Sequence, residues 1–178
     1  KEFLNNLNFS KKVMLSHEIK SNNNIEGITD DIDSIKEVIL KKQMIKDEDK
    51  RNRIINLYKG YRYILKSKEI NKDNLKELYS ILSDGLLKQR ELDDMGYYYR
   101  TRPGIILYKG RLDDSYEETI DVKYVHEFMD KLFEYINNDN KFSLDTGYFI
   151  KSQIIHFYLV YIHPYFDING RTSRTVAM

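Results

Sequence analysis

The sequence contains no cysteine, which excludes disulfides, thiolate metal sites and a cysteine nucleophile together. Tryptophan is also missing, proline occurs only at Pro103 and Pro164, and the single alanine is Ala177. With so little alanine, helices must be held by packing of an amphipathic face rather than by intrinsic propensity. Neither sign of charge dominates. Lys+Arg 29 against Asp+Glu 28 leaves a net charge of +1, so the basic field that marks a nucleic-acid partner is lacking. Apolar runs such as residues 154–162 are too short to span a bilayer, which takes about 20 residues. No repeat or low-complexity linker divides the chain, and its first residues, Lys1-Glu2-Phe3, open no signal-peptide core. An intracellular, cytoplasmic protein is expected. Its 178 residues suffice to bury one core, so a single domain over residues 1–178 is expected.

Helical periods fill most of that length. Residues 10–21 read as a helix that stops at the polar run 21–24. Asp31 or Asp33 can cap a helix carrying Ile35, Val38, Ile39 and Met44 on one side. A longer helix over residues 47–66 lines up Ile54, Leu57, Tyr58, Tyr61 and Ile64, and another starts near Asn71 or Asp73 with Leu75, Leu78, Ile81 and Leu82. Val122, Val125, Met129, Leu132 and Ile136 trace a further face, and residues 144–162 form a strongly apolar helix expected at the core. Pro164 disfavours helical geometry at His163 and ends that helix. One stretch breaks the rhythm: Ile105 to Tyr108, then an acidic loop with Asp113, Asp114, Glu117 and Glu118, then Thr119 to Val122, reads as a β-hairpin. The expected fold class is all-α with one hairpin.

The segment His163-Pro164-Tyr165-Phe166-Asp167-Ile168-Asn169-Gly170-Arg171-Thr172-Ser173-Arg174 carries the chemistry. It should turn through Asp167 to Gly170 and re-enter a helix, with Asn169 or Asp167 as N-cap. Arg171 and Arg174 would then share one face near the positive end of the helix dipole, a locally unfavourable placement. With the first-turn amides they make a site for a polyanion. His163 lies across the turn with a pKa near neutrality, suited to proton abstraction. Asp167 is a hard oxygen ligand able to hold Mg²⁺ against a phosphate.

This segment resembles the signature of the Fic family, His-Pro-Phe-x-Asp/Glu-Gly-Asn-Gly-Arg-x-x-Arg. The preceding helix, with His156 seven residues before His163, and the flap-like stretch after Tyr99-Arg100 are also similar to that family. The resemblance implies a Fic-like helical bundle with a flap hairpin over residues 104–122. It also implies transfer of AMP from ATP to a Ser, Thr or Tyr hydroxyl of a protein target, self-modification included; the sequence leaves open whether the chain is a homo-oligomer. His163 would be the general base and Asp167 the metal ligand. Asn169, Gly170 and Arg171 would hold the α- and β-phosphates, and Arg174 the γ-phosphate. Ile105, Ile106 and Leu107 of the flap would register the target by strand addition. Gly170, where the kinase-like Doc branch has lysine, favours AMP transfer.

Two positions depart from the signature. Tyr165 stands for Phe, and Ile168 for a small residue, so the turn either keeps ordinary φ/ψ or carries strain. Asn22-Asn23-Asn24-Ile25-Glu26-Gly27 resembles the family's inhibitory motif, with Asn22 in the Ser/Thr position. An inhibitory helix region over residues 10–28 would set Glu26 against Arg174, in competition with the γ-phosphate. The same residues also suit an ordinary helix end with Gly27 as terminator. AMP removal at the same site, and a non-catalytic nucleotide-binding or interaction module, stay open as alternatives. Residues 144–178 would form the core helix, active-site loop and following helix, and the absence of a stop signal at Met178 leads us to expect further chain.

Overall fold

The computed structural model describes residues 2–41, 45–88, 91, 95–103, 105–109, 114–138 and 145–178. Met44, Asp113 and Leu144, singled out above, lie outside them, as do the side chains of Ile105, Ile106 and Leu107. The chain divides into two compact units, Lys1–Lys66 with Ser80–Leu86, and Ser67–Tyr79 with Leu87–Met178. Among the described residues the architecture is helical with one two-stranded sheet, as the periodicity indicates. No helix among the described residues is long and apolar enough to cross a membrane.

In the first unit, α1 runs Glu2–Ile25, α2 Ile32–Lys36 with a π-helical turn at Glu37–Lys41, and α3 Glu48–Ile64. The polar run 21–24 does not end α1, contrary to the propensity-based expectation. Asn22 and Asn23 are buried, and tertiary partners take up their amide donors: Asn22 Nδ2 donates to the Tyr61 hydroxyl at 3.0 Å, and Asn23 Nδ2 to Asp30 Oδ2 at 2.8 Å. A buried amide that is hydrogen-bonded no longer competes with the helix backbone. The helix stops two residues later on Gly27, at φ +75°. There the Ile28 N–H reaches the Asn23 carbonyl and the Gly27 N–H the Asn24 carbonyl, the paired closure of a Schellman end. Asp31 caps α2 through the Ser34 N–H and Asp47 caps α3 through the Lys50 N–H. Ile35, Val38, Ile39, Ile54, Leu57 and Tyr61 form this unit's core with Leu15 and Ile19.

Helix α4, Lys72–Ser83, begins on Asn71, whose Oδ1 accepts from the Asp73 and Asn74 amides. In the second unit, β1 (Ile105–Lys109) pairs antiparallel with β2 (Asp114–Glu118), Ile105 opposite Glu118 and Lys109 opposite Asp114. Asp114, Glu117 and Glu118, expected in a loop, are therefore strand residues. Pairing at Asp114 closes the hairpin over a short connection, which is favoured over the long loop that a strand at residues 119–122 would need. Asp121 is left to cap α5, Val122–Asn137, through the Lys123 N–H. Helix α6, Asp145–Ile162, packs on α5 and on α7, Asn169–Ala177. It buries Ile155, Leu159 and Ile162, but Phe149, Phe157 and Tyr161 on its other side are exposed, so only part of its apolar surface serves the core.

Candidate active site

The loop from His163 to Ile168 joins α6 to α7 and is fixed at both ends by left-handed residues, His163 at φ 51° and Ile168 at φ 64°. The His163 N–H still bonds the Leu159 carbonyl at 3.1 Å. The backbone thus leaves the helix at the residue before Pro164, where proline disfavours a further helical turn. Tyr165 anchors the loop. Its ring is fully buried, stacks on Tyr79 with centroids 3.8 Å apart and donates its hydroxyl to the Leu75 carbonyl at 3.3 Å. The tyrosine that departs from the signature is therefore accommodated, with a partner for its extra oxygen.

Neither expected residue caps α7. Ile168 occupies the N-cap position without a side-chain cap bond. Asn169 is the first helical residue, and its amide is committed elsewhere: Oδ1 accepts from the Tyr165 N–H and Nδ2 donates to the Tyr165 carbonyl. Asp167 spends one carboxylate oxygen on the Ile168 N–H at 2.6 Å and is exposed. Ile168 resolves the choice posed by its β-branch in favour of strain. Such a conformation costs about 1–3 kcal/mol, offset by burial of a side chain only 3% exposed, a contribution of about the same size. A helix that begins without a side-chain cap turns its first amides toward an anion.

Burial, the largest cause, holds the His163 pKa below its ordinary value; the Arg100 charge acts the same way, while the Val160 carbonyl and Asp167 oppose it. The ring's Nδ1 lies 3.4 Å from the Val160 carbonyl oxygen. In the neutral ring the tautomer protonated at Nδ1 leaves Nε2 as a lone-pair acceptor. The His156 pKa is also lowered, first by burial and then by the charge of Arg174, against a hydrogen bond with the Ser173 backbone. Within α7 the Thr172, Ser173 and Thr175 hydroxyls bond back to the carbonyls of Ile168, Gly170 and Arg171. These hydroxyls are thereby buried with partners, leaving Arg171 and Arg174 as the charged groups of the helix.

His163, Asp167, Asn169, Gly170, Arg171 and Arg174 thus share one loop and helix of the second unit; Asn22, Glu26 and Gly27 belong to the first unit. The sequence profile of the Fic/DOC family matches residues 69–178. The chain belongs to the Fic/DOC family. Solved structures with a similar fold include three Fic proteins. A Fic family protein from Desulfovibrio desulfuricans G20 is 19% identical with a TM-score of 0.69, over 93% of this chain and 45% of that one. A fragment of Fic-1 from C. elegans is 21% identical with a TM-score of 0.69, over 96% and 48%. A Fic domain containing signaling protein from Bacteroides thetaiotaomicron VPI-5482 is 19% identical with a TM-score of 0.69, over 99% and 64%. The chain therefore spans between 45% and 64% of the length of these Fic structures.

Two residues of this Fic site were not marked as functional by spacing or periodicity. Tyr79 is buried on α4 beside the apolar period of Leu75, Leu78, Ile81 and Leu82, and is not among the residues that period names. Arg100, met in the sequence only as the start of the flap-like stretch, is 2% exposed and donates from Nε to the His163 carbonyl at 2.8 Å.

Proposed function

We propose that this Fic-domain chain transfers AMP from ATP to a Ser, Thr or Tyr hydroxyl of a protein target, copies of itself included. The observation that carries this reading is a part-buried His163 directly across one short loop from the uncapped start of α7. A hydroxyl oxygen of the target attacks the α-phosphorus while His163 Nε2 takes its proton. The bond from the α-phosphorus to the bridging oxygen breaks, and pyrophosphate leaves as the new phosphodiester forms. Such a transfer depends on positioning and charge neutralisation more than on covalent catalysis. Gly170 and Arg171 grip the α- and β-phosphates and Arg174 the γ-phosphate. Asn169 contributes its backbone, since its amide holds the loop.

Asp167 suits a magnesium ion. One of its oxygens is tied to the Ile168 amide, which orients the other, and no cluster of three or more metal-ligating side chains occurs among the described residues. A single carboxylate completed by phosphate oxygens and water is a usual magnesium arrangement. The ion would neutralise phosphate charge.

ATP labelled at the α-phosphate, and separately at the γ-phosphate, tests the reaction. Label carried to protein from the α-position only, with a mass gain of one AMP, is expected, as is a loss of about 10²–10⁴-fold in His163→Ala. Label carried only from the γ-position would overturn AMP transfer in favour of a kinase-like reaction, and nucleotide binding without any labelled protein would favour a non-catalytic module.

A further inference from the structure

Arg100 is almost fully buried, and its hydrogen bonds all go to backbone carbonyls. Its amide donates to the Pro164 carbonyl at 2.8 Å and Nε to that of His163 at 2.8 Å. Nη1 donates to the Arg102 carbonyl at 2.8 Å and Nη2 to that of Ile120 at 2.6 Å. Arg102 and Ile120 lie on the chain just before β1 and just after β2, so one guanidinium ties both roots of the hairpin to the residue that carries the base. The loop leading to it is tight. Met95 bridges Arg100, the Gly96 N–H bonds the Tyr99 carbonyl at 2.8 Å, and a Cβ on Gly96 would come within 3.0 Å of that oxygen.

A buried cation is costly unless its donors are met. Asp121 assists by charge from the start of α5, but burial still depresses the Arg100 pKa. A neutral or apolar residue would build a comparable core more cheaply. What only arginine supplies is a planar fork whose donors reach carbonyls from several segments at once. The residue it grips, His163, holds a left-handed conformation that persists only when its surroundings over-determine it.

We propose that Arg100 is a positioning residue that fixes the His163 backbone to both roots of the β1–β2 hairpin, so that a segment docked on the hairpin is held in register with the base. The docking part rests on the transfer reading above; the mechanical link between hairpin and histidine does not. Target binding that shifts the hairpin thereby shifts His163, and an empty hairpin leaves the base less well placed.

The decisive experiment is a double-mutant cycle read by NMR on the His163 imidazole. Ile106→Pro breaks β1 at a strand position. It is expected to move the His163 resonance in the parent and to leave it still in an Arg100→Lys background, where charge is kept and the fork is lost. Arg100→Gln serves as second background if the lysine variant fails to fold. Equal movement in both backgrounds, or movement in neither, overturns the proposal. As a second arm, Arg100→Lys is expected to lower kcat about 10²-fold per folded molecule, with KM for ATP within about twofold. An unchanged kcat with only a lower urea midpoint would mean a structural role alone. A parent with no transfer activity would sink the transfer reading and leave the NMR cycle to decide the coupling.

Discussion

Asn169 and Tyr165 hold each other in both directions, Oδ1 accepting the Tyr165 N–H at 2.9 Å and Nδ2 donating to the Tyr165 carbonyl at 2.8 Å. The asparagine of the signature thus acts first as a clasp that closes the loop after His163. Removing it in Asn169→Ala leaves a buried amide and carbonyl without these partners, which costs about 1–3 kcal/mol. Asn169→Asp keeps the acceptor and loses the donor, so it should fall between parent and alanine variant in urea unfolding. Equal midpoints for all three proteins would remove the clasp.

Ile168 sets a left-handed backbone against a buried side chain. Ile168→Gly relieves strain of about 1–3 kcal/mol but deletes an isoleucine side chain whose loss costs about 2–5 kcal/mol in a core. The expected net effect is a modest destabilisation, of about 1–2 kcal/mol, even though glycine matches the family pattern. Thermal unfolding decides the sign, and a glycine variant more stable than the parent would show that burial at this position contributes little.

The helices were legible because their apolar faces repeat at 3.6 residues, and Leu75, Leu78 and Leu82 are buried as that period indicates. Ends were less so. The Asn22–Tyr61 and Asn23–Asp30 bonds that prolong α1 join residues distant in sequence or across a helix end, and no local propensity encodes them. The second strand was misplaced for a similar reason, since Asp114, Glu117 and Glu118 look like loop and become strand only through a short closure. In the site, the order of His163, Asp167 and the two arginines was readable directly. Arg100 was not, because its function lies in reaching carbonyls of residues 102, 120 and 163, and spacing along the chain carries no trace of that.

His156 and His163 both titrate below their ordinary value of 6.5 in the folded chain. As pH falls through about 6.5 the unfolded chain binds protons at these positions before the folded chain does. Their contribution to stability is therefore full above that pH and is lost as the medium becomes more acidic. Asp31, held down to about 2 by its bonds with Ser34, acts only below the ordinary carboxylate range of about 3.8 and leaves this window clear. The urea midpoint is expected to drop between about pH 7.5 and 5.5, with a shallower drop in His163→Gln. Histidine NMR titrations should place both midpoints below 6.5; values above it would invert the predicted slope.

Glu26 follows the end of α1 as an exposed residue just before Gly27, so its side chain contributes little to the first unit's core. If it competes with the γ-phosphate for Arg174, Glu26→Gly raises AMP transfer while moving the unfolding midpoint by no more than about 0.5 kcal/mol, as expected of a surface position. Gly27→Ala is the matched control. At φ +75° with open space around it, an added methyl meets only backbone strain and should cost about 1 kcal/mol. Local loosening of the helix end would raise transfer in both variants, whereas competition by a carboxylate raises it in Glu26→Gly alone. Self-modification followed by intact mass under equal ATP and Mg²⁺ separates the two, and an unchanged rate in Glu26→Gly would remove the inhibitory role.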